Sequence, residues 1–118
     1  LKKGIVVSNE PGFYKDGSFG IRIENLLETQ YVDPRHNNPE EAKDDSVDKK
    51  FLKFAKLTMI PIQKNLIDVS LMSKKELDWL DAYHQEVFQK VSPLLERNSP
   101  AVKWLQKSCE KIDRSVLA

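Results

Sequence analysis

The chain lacks nearly every feature that reveals a function at first sight. It has one cysteine, Cys109, which excludes an internal disulfide and makes a reducing compartment, the cytoplasm, the expectation. No apolar run exceeds a few residues, far short of the roughly 20 that a spanning helix needs, and the N-terminus carries no apolar signal-type stretch. No membrane partner is therefore expected. An excess of either charge is missing too: 19 Lys+Arg stand against 18 Asp+Glu, so no global field attracts nucleic acid. A phosphate-loop pattern and interleaved aromatic and basic positions are also absent. With 118 residues there is room for one domain at most, burying roughly 60–70% of its unfolded surface. The chain opens on Leu1 rather than Met and runs directly into strand-like sequence, so an excised piece of a longer protein is expected.

What is present falls into regions of different periodicity. From Gly4 to Val32 the pattern is strand-like, and Asp16-Gly17 between two apolar runs is a hairpin signal. In the return strand, Gly20 to Val32, Ile21, Ile23, Leu27 and Tyr31 share one parity while Arg22, Glu24 and Glu28 share the other. Residues 33–50, with two prolines, many charges and little to bury, predict a mobile surface loop. Phe51 to Ile62 returns to β character and predicts a third strand ended by Pro61. Ser73 followed by Glu76 is a capping box, and Leu77, Leu80, His84, Val87 and Val91 recur at helical steps behind it. Ser92-Pro93 and Ser99-Pro100 each read as an N-cap with proline at the first helical position, predicting a break and then a short helix with Val102, Trp104 and Leu105. Strands first and helices last predict an α+β fold, with residues 1–62 forming the β-rich part and residues 63–118 a helical tail.

The stretch "VVSNEPGFYKDGSFGIRIEN" holds two glutamates, Glu10 and Glu24, fourteen residues apart around the hairpin turn. A two-residue turn at Asp16-Gly17 would set Glu10 opposite Ile23 and throw Glu24 to the other face. One extra residue, bulged at Gly17 or at Pro11-Gly12, brings both glutamates onto one face, where opposed Cβ atoms lie about 4.5–5.5 Å apart. Carboxylates that close repel unless a cation sits between them. Hard oxygen ligands suit Mn²⁺, with Zn²⁺ or Co²⁺ compatible, and two such ions roughly 3.5–4 Å apart polarise a carbonyl and activate water. Arg22 shares the parity of Glu24 and is placed to orient a carboxylate. On spacing alone, a pair of solvated surface charges remains the commoner arrangement.

The same residues resemble a known signature. "SNEPGFYKDGSFGIRIEN" is similar to the C-terminal metal-binding motif of the pita-bread metallopeptidases, the family of creatinase, prolidase, methionine aminopeptidase and aminopeptidase P. "LTMIPIQKNLIDVSLMSKKELDWLDAYHQEV" resembles the tail of the eukaryotic cytosolic aminopeptidase P subgroup. The resemblance implies the C-terminal part of a pita-bread fold, with antiparallel strands followed by a helical tail. It also implies an Xaa-Pro aminopeptidase that cleaves peptides with proline in second position, using two divalent ions. Glu10 and Glu24 would be two of five metal ligands, Glu24 the bridge, Glu10 also a catalytic proton acceptor, and Arg22 the supporting arginine. The two aspartates and the histidine that complete such a site have no counterpart here, so the chain alone is expected to be catalytically silent and to depend on an upstream part of the same protein. The tail implies a homodimer. Two other readings compete: a metal-free pita-bread module that binds proteins, and a prolidase-type dipeptidase.

The remaining candidates have plainer readings. His36 lies in the polar stretch outside any motif, and Asp44 and Asp45 belong to a charge run without EF-hand spacing. His84, on a helical apolar stripe, is expected to be a packed histidine. Trp79, Tyr83, Phe88 and Trp104 are expected in a core or dimer interface, and Cys109 is read as an ordinary thiol.

Overall fold

Alternating residues in the first third of the chain produce short antiparallel strands, and the helical periodicity of the last half produces two helices. The computed structural model describes residues 1–32 and 51–115. The expected loop at 33–50, with His36, Asp44 and Asp45, lies outside the described residues. The chain divides into two compact units, Leu1–Thr58 and Met59–Ala118.

The first unit contains β1 (Val6–Asn9), β2 (Gly12–Lys15), β3 (Phe19–Arg22), β4 (Asn25–Tyr31) and β5 (Leu52–Lys56). One sheet has the order β1-β4-β5, and β2 pairs with β3 in a second. All pairings are antiparallel. The long return strand expected from Gly20 to Val32 is two strands, interrupted at Ile23 and Glu24. Opposite that break lies Pro11, which has no N–H to give the ladder. The third strand also stops earlier than Ile62. Leu57 N still donates to Leu26 O at 2.9 Å, but Leu26 N turns to Thr58 Oγ1 at 2.8 Å, so a side chain replaces the next backbone partner. Thr29, in the middle of β4, is the one buried residue of this unit among the described residues. Its hydroxyl accepts from Ile5 N at 3.0 Å and donates to Lys2 O, pinning the first residues to the sheet.

The second unit begins with two single 3-10 turns, Lys64–Leu66 and Val69–Leu71, capped by the side chains of Gln63 and Asp68. Helix α1 (Lys74–Val91) starts at the expected capping box: Ser73 Oγ accepts from Glu76 N at 3.3 Å, and the Glu76 carboxylate accepts from Ser73 N at 2.8 Å. A 3-10 turn at Ser92–Leu94 breaks the helical path, and α2 (Pro100–Ser108) follows, with Ser99 as its N-cap. Leu77, Leu80 and Ile112 form one core cluster; Tyr83, Val87 and Leu105 form another. After α2 the chain returns across α1. Ile112 N donates to Asp81 Oδ1 at 2.9 Å, and Arg114 reaches both Asp78 and Asp81 at 2.8 and 2.6 Å.

The aromatic expectation divides. Tyr83 is core, its hydroxyl donating to Ile60 O at 2.8 Å, and Phe88 packs beside it. Trp79 and Trp104 are 54% and 60% exposed and belong to no core cluster among the described residues. Trp79 instead lies flat on Tyr83, with centroids 5.7 Å apart.

Candidate metal centre

Register decides where the two glutamates go. In the β1–β4 ladder Val6 pairs with Glu28 and Asn9 with Asn25; in the β2–β3 ladder Gly12 pairs with Arg22 and Lys15 with Phe19. Both ladders keep one offset, and carrying it across the break sets Pro11 opposite Ile23 and Glu10 opposite Glu24. The bond from Ile23 N to Pro11 O, 3.1 Å, supports that continuity. The extra residue comes from the turn. Ser18 N closes onto Lys15 O at 3.0 Å, Gly17 adopts φ +67°, and Ser18 joins the loop, so three residues connect the strands. Of the two sites at which a bulge could have corrected the register, the one at Gly17 is used.

Glu10 and Glu24 meet at Arg22. Its Nη1 lies 3.5 Å from Glu10 Oε2 and its Nη2 lies 3.5 Å from Glu24 Oε2. Ser8 Oγ donates to Glu10 Oε1 at 2.6 Å, fixing the other end of that carboxylate. The three side chains are about half exposed, at 46%, 45% and 50% for Glu10, Glu24 and Arg22, so the pair is open to an approaching ion. Among the described residues no group of three or more His, Cys, Asp or Glu side chains is placed to hold a metal ion. The donor set fits a hard divalent cation in chemistry, with two facing carboxylates, and supplies part of a coordination shell.

Tyr14 beside this pair carried no signal in the sequence. It stands opposite Gly20, and a Cβ placed on Gly12 or Gly20 would come within 2.7 Å of its hydroxyl or 2.6 Å of its ring. The ring thus lies flat along the sheet over both glycines, its hydroxyl end over Gly12, two positions from Glu10. Only residues without a side chain leave that space. The glycines themselves were the available clue.

The other sequence candidates lie apart from this pair. His84 is fully buried, as expected of a packed histidine, and its Nε2 accepts from Ile62 N at 3.1 Å. Burial, followed by the nearby Lys64 charge, holds it below its ordinary value of 6.5, so it stays neutral. Cys109 is partly buried, and burial pushes its thiol up, away from the reactive thiolate.

The chain matches a model of the C-terminal region of peptidase M24 over residues 50–112, which begins beyond the two glutamates. It is 46% identical over 112 residues to a probable Xaa-Pro aminopeptidase P of Laccaria bicolor, covering 95% of this chain and 16% of that protein. It is 50% identical over 105 residues to aminopeptidase P2 of Arabidopsis thaliana, covering 89% and 14% respectively. The solved X-prolyl aminopeptidase of Caenorhabditis elegans, described as a cytosolic enzyme with a di-nuclear active site, superposes with a TM-score of 0.73 at 35% identity. That likeness covers 95% of this chain and 17% of the solved one. The chain therefore spans about a sixth of the length of these relatives.

Proposed function

The chain belongs to the peptidase M24 family, whose C-terminal region it carries, and from that premise we propose that it forms one wall of the dinuclear centre of an Xaa-Pro aminopeptidase. The observation that carries this reading is the facing of Glu10 and Glu24 around one arginine, in a chain whose relatives are named Xaa-Pro aminopeptidases. The solved relative is described as di-nuclear, and two facing carboxylates suit such a centre. The substrate is a peptide with proline in second position, hydrolysed at the bond before that proline.

Glu10 and Glu24 would hold the ions, Glu24 as the ligand both would share, and Arg22 orients both carboxylates. Two divalent ions bound there, Mn²⁺ being suited to the carboxylate ligands, would supply polarisation of the scissile carbonyl and activation of water near neutral pH. Glu10, held at one oxygen by Ser8, would also accept a proton from water at the centre. The remaining ligands come from an upstream part of the same protein, and the chain alone is inactive. The exposed apolar residues Phe13, Phe19 and Ile21 of the hairpin fit a sheet that packs against more of that protein. The exposed Trp79 and Trp104 fit a homodimer contact made by the tail, and the enzyme works in the cytoplasm.

The test is Mn²⁺-dependent release of the N-terminal residue from an Xaa-Pro-Xaa peptide by the intact protein, beside the same protein with Glu24→Ala. Turnover that requires both the ion and Glu24 is expected. Equal turnover with and without Glu24 would remove the site from this hairpin.

A further inference from the structure

Two neighbouring residues of α1 hold the segment that leads into the helical unit. The Tyr83 hydroxyl donates to Ile60 O at 2.8 Å, and His84 Nε2 accepts from Ile62 N at 3.1 Å. Pro61 between them has no N–H to offer, so these two bonds fasten the backbone on either side of it. Two residues further on, Lys64 Nζ donates to Lys107 O and Glu110 O, at 3.0 Å each, where α2 ends. Residues 60–64 thus form a strap tied to both helices. Ile62 is its apolar anchor and packs against both core clusters.

The tie at His84 differs in kind from the other two. A ring nitrogen that accepts from a backbone N–H needs its lone pair, so the imidazole is neutral and carries its proton on Nδ1. A proton added at Nε2 would set one N–H against another at Ile62. The charged ring would also need an acceptor at Nδ1, which has none among the described residues, and the side chain is fully buried. The groups packed around the ring do not relieve that charge. Lys64 on the strap opposes a second positive charge. Asp81, one turn earlier on α1, favours it but is already engaged by Ile112 N and Arg114. From α2 comes Cys109, whose thiol burial keeps protonated and uncharged.

We propose that His84 is an acid-sensitive latch: the neutral imidazole holds the strap at Ile62, and taking up a proton lets the strap open there while α1 and α2 stay packed through Tyr83, Val87 and Leu105. Once the strap opens, water reaches the ring and it regains its ordinary value of 6.5. The open form therefore gains on the closed one as the pH falls below about 6.5. The latch needs neither metal nor substrate, so it stands apart from the function proposed above.

The experiment is hydrogen exchange on the intact protein at pH 7.5 and 5.0, with exchange times scaled for the intrinsic pH dependence of amide exchange. Wild type and His84→Gln are compared. In wild type, peptides covering residues 59–66 are expected to exchange several-fold faster at pH 5.0. The ceiling is about thirtyfold, the ratio for a group that titrates near 6.5 in the open form alone. Peptides from the second half of α1 and from α2 are expected to keep their protection. His84→Gln carries an acceptor that does not titrate, and its strap is expected to exchange equally at both pH values. Three results would overturn the latch: a wild-type strap indifferent to pH, a strap and helices that lose protection together, or a His84→Gln strap that opens with acid as wild type does. If His84→Gln does not fold, the wild-type comparison of strap with helices decides alone.

Discussion

The two halves of the chain divide their work in opposite ways. Among the described residues, every buried apolar side chain (Leu77, Leu80, Tyr83, Val87, Leu105 and Ile112) lies in the Met59–Ala118 unit. The proposed chemistry, Glu10, Glu24 and Arg22, lies in the Leu1–Thr58 unit, whose large apolar residues Phe13, Phe19, Ile21 and Phe54 are all at least 44% exposed. A helical unit with its own core can hold itself together. Sheets whose one buried residue, among the described residues, is Thr29 are held by ladders and polar ties, which is how a site can stay open to ions and substrate but also why their apolar faces call for further packing.

The sharpest way to break this contrast is to cut into both halves. Leu77→Ala, at a fully buried position, is expected to cost about 2–5 kcal/mol of unfolding free energy, while Ile21→Ala in this chain is expected to cost under about 0.5 kcal/mol. Denaturant midpoints of the two variants check it, and similar losses would mean that the sheet carries stability the exposure does not reveal.

Next in size is the return of the chain over α1. Arg114→Ala removes two charge-assisted bonds, one of them to an Asp81 carboxylate that is only 12% exposed, and a smaller loss of unfolding free energy than in Leu77→Ala is expected. Chemical denaturation reads this too, and Asp81→Asn should do comparable harm because Asp81 also receives Ile112 N.

A smaller effect follows pH. His84 is held below its ordinary value of 6.5 in the folded chain, so the unfolded chain binds the proton more readily. Stability from this group is therefore complete above about pH 6.5 and declines as the pH falls below it. Thermal unfolding between pH 7.5 and 5 is expected to show that decline in wild type and to lose its His84 part in His84→Gln. A flat profile in wild type would show that His84 is not buried as described.

The least costly change to stability is expected at Gly20. Gly20→Ala puts a methyl group within 2.6 Å of the Tyr14 ring, which must swing off the sheet. Because Tyr14 is exposed, the unfolding midpoint should move little, while Tyr14 fluorescence or its ring NMR shifts should change clearly. An unmoved ring would mean that the glycines are not what lets it lie flat.

The sequence was most readable where a local pattern has a local cause. Ser73 with Glu76, Ser99 with Pro100, and the Leu77-Leu80-His84-Val87 stripe all appear where their spacing put them, since caps and helical faces involve residues within a turn or two of each other. The hairpin was readable, but its register was open until Gly17 and Ser18 were seen in a three-residue loop. The strand break at Ile23 and Glu24 was hidden because its cause, Pro11, sits on the other strand. Thr29 was hidden as well, because its burial depends on partners about 24 to 27 residues away. Arg114 found Asp78 and Asp81 across more than thirty residues, a pairing no periodicity reveals. Of the site, the resemblance supplied the identity of Glu10, Glu24 and Arg22, while the sharing of one arginine between two carboxylates came only from three-dimensional register.

The central claim is that the hairpin of the Leu1–Thr58 unit supplies ligands to a dinuclear centre, and the most direct measurement is the metal content of the intact protein after dialysis against MnCl₂. Wild type is expected to retain two ions per chain, and Glu10→Ala/Glu24→Ala to retain fewer, while the two proteins stripped of metal unfold at similar midpoints. A double variant that keeps both ions, or a wild type that binds none, would contradict the account.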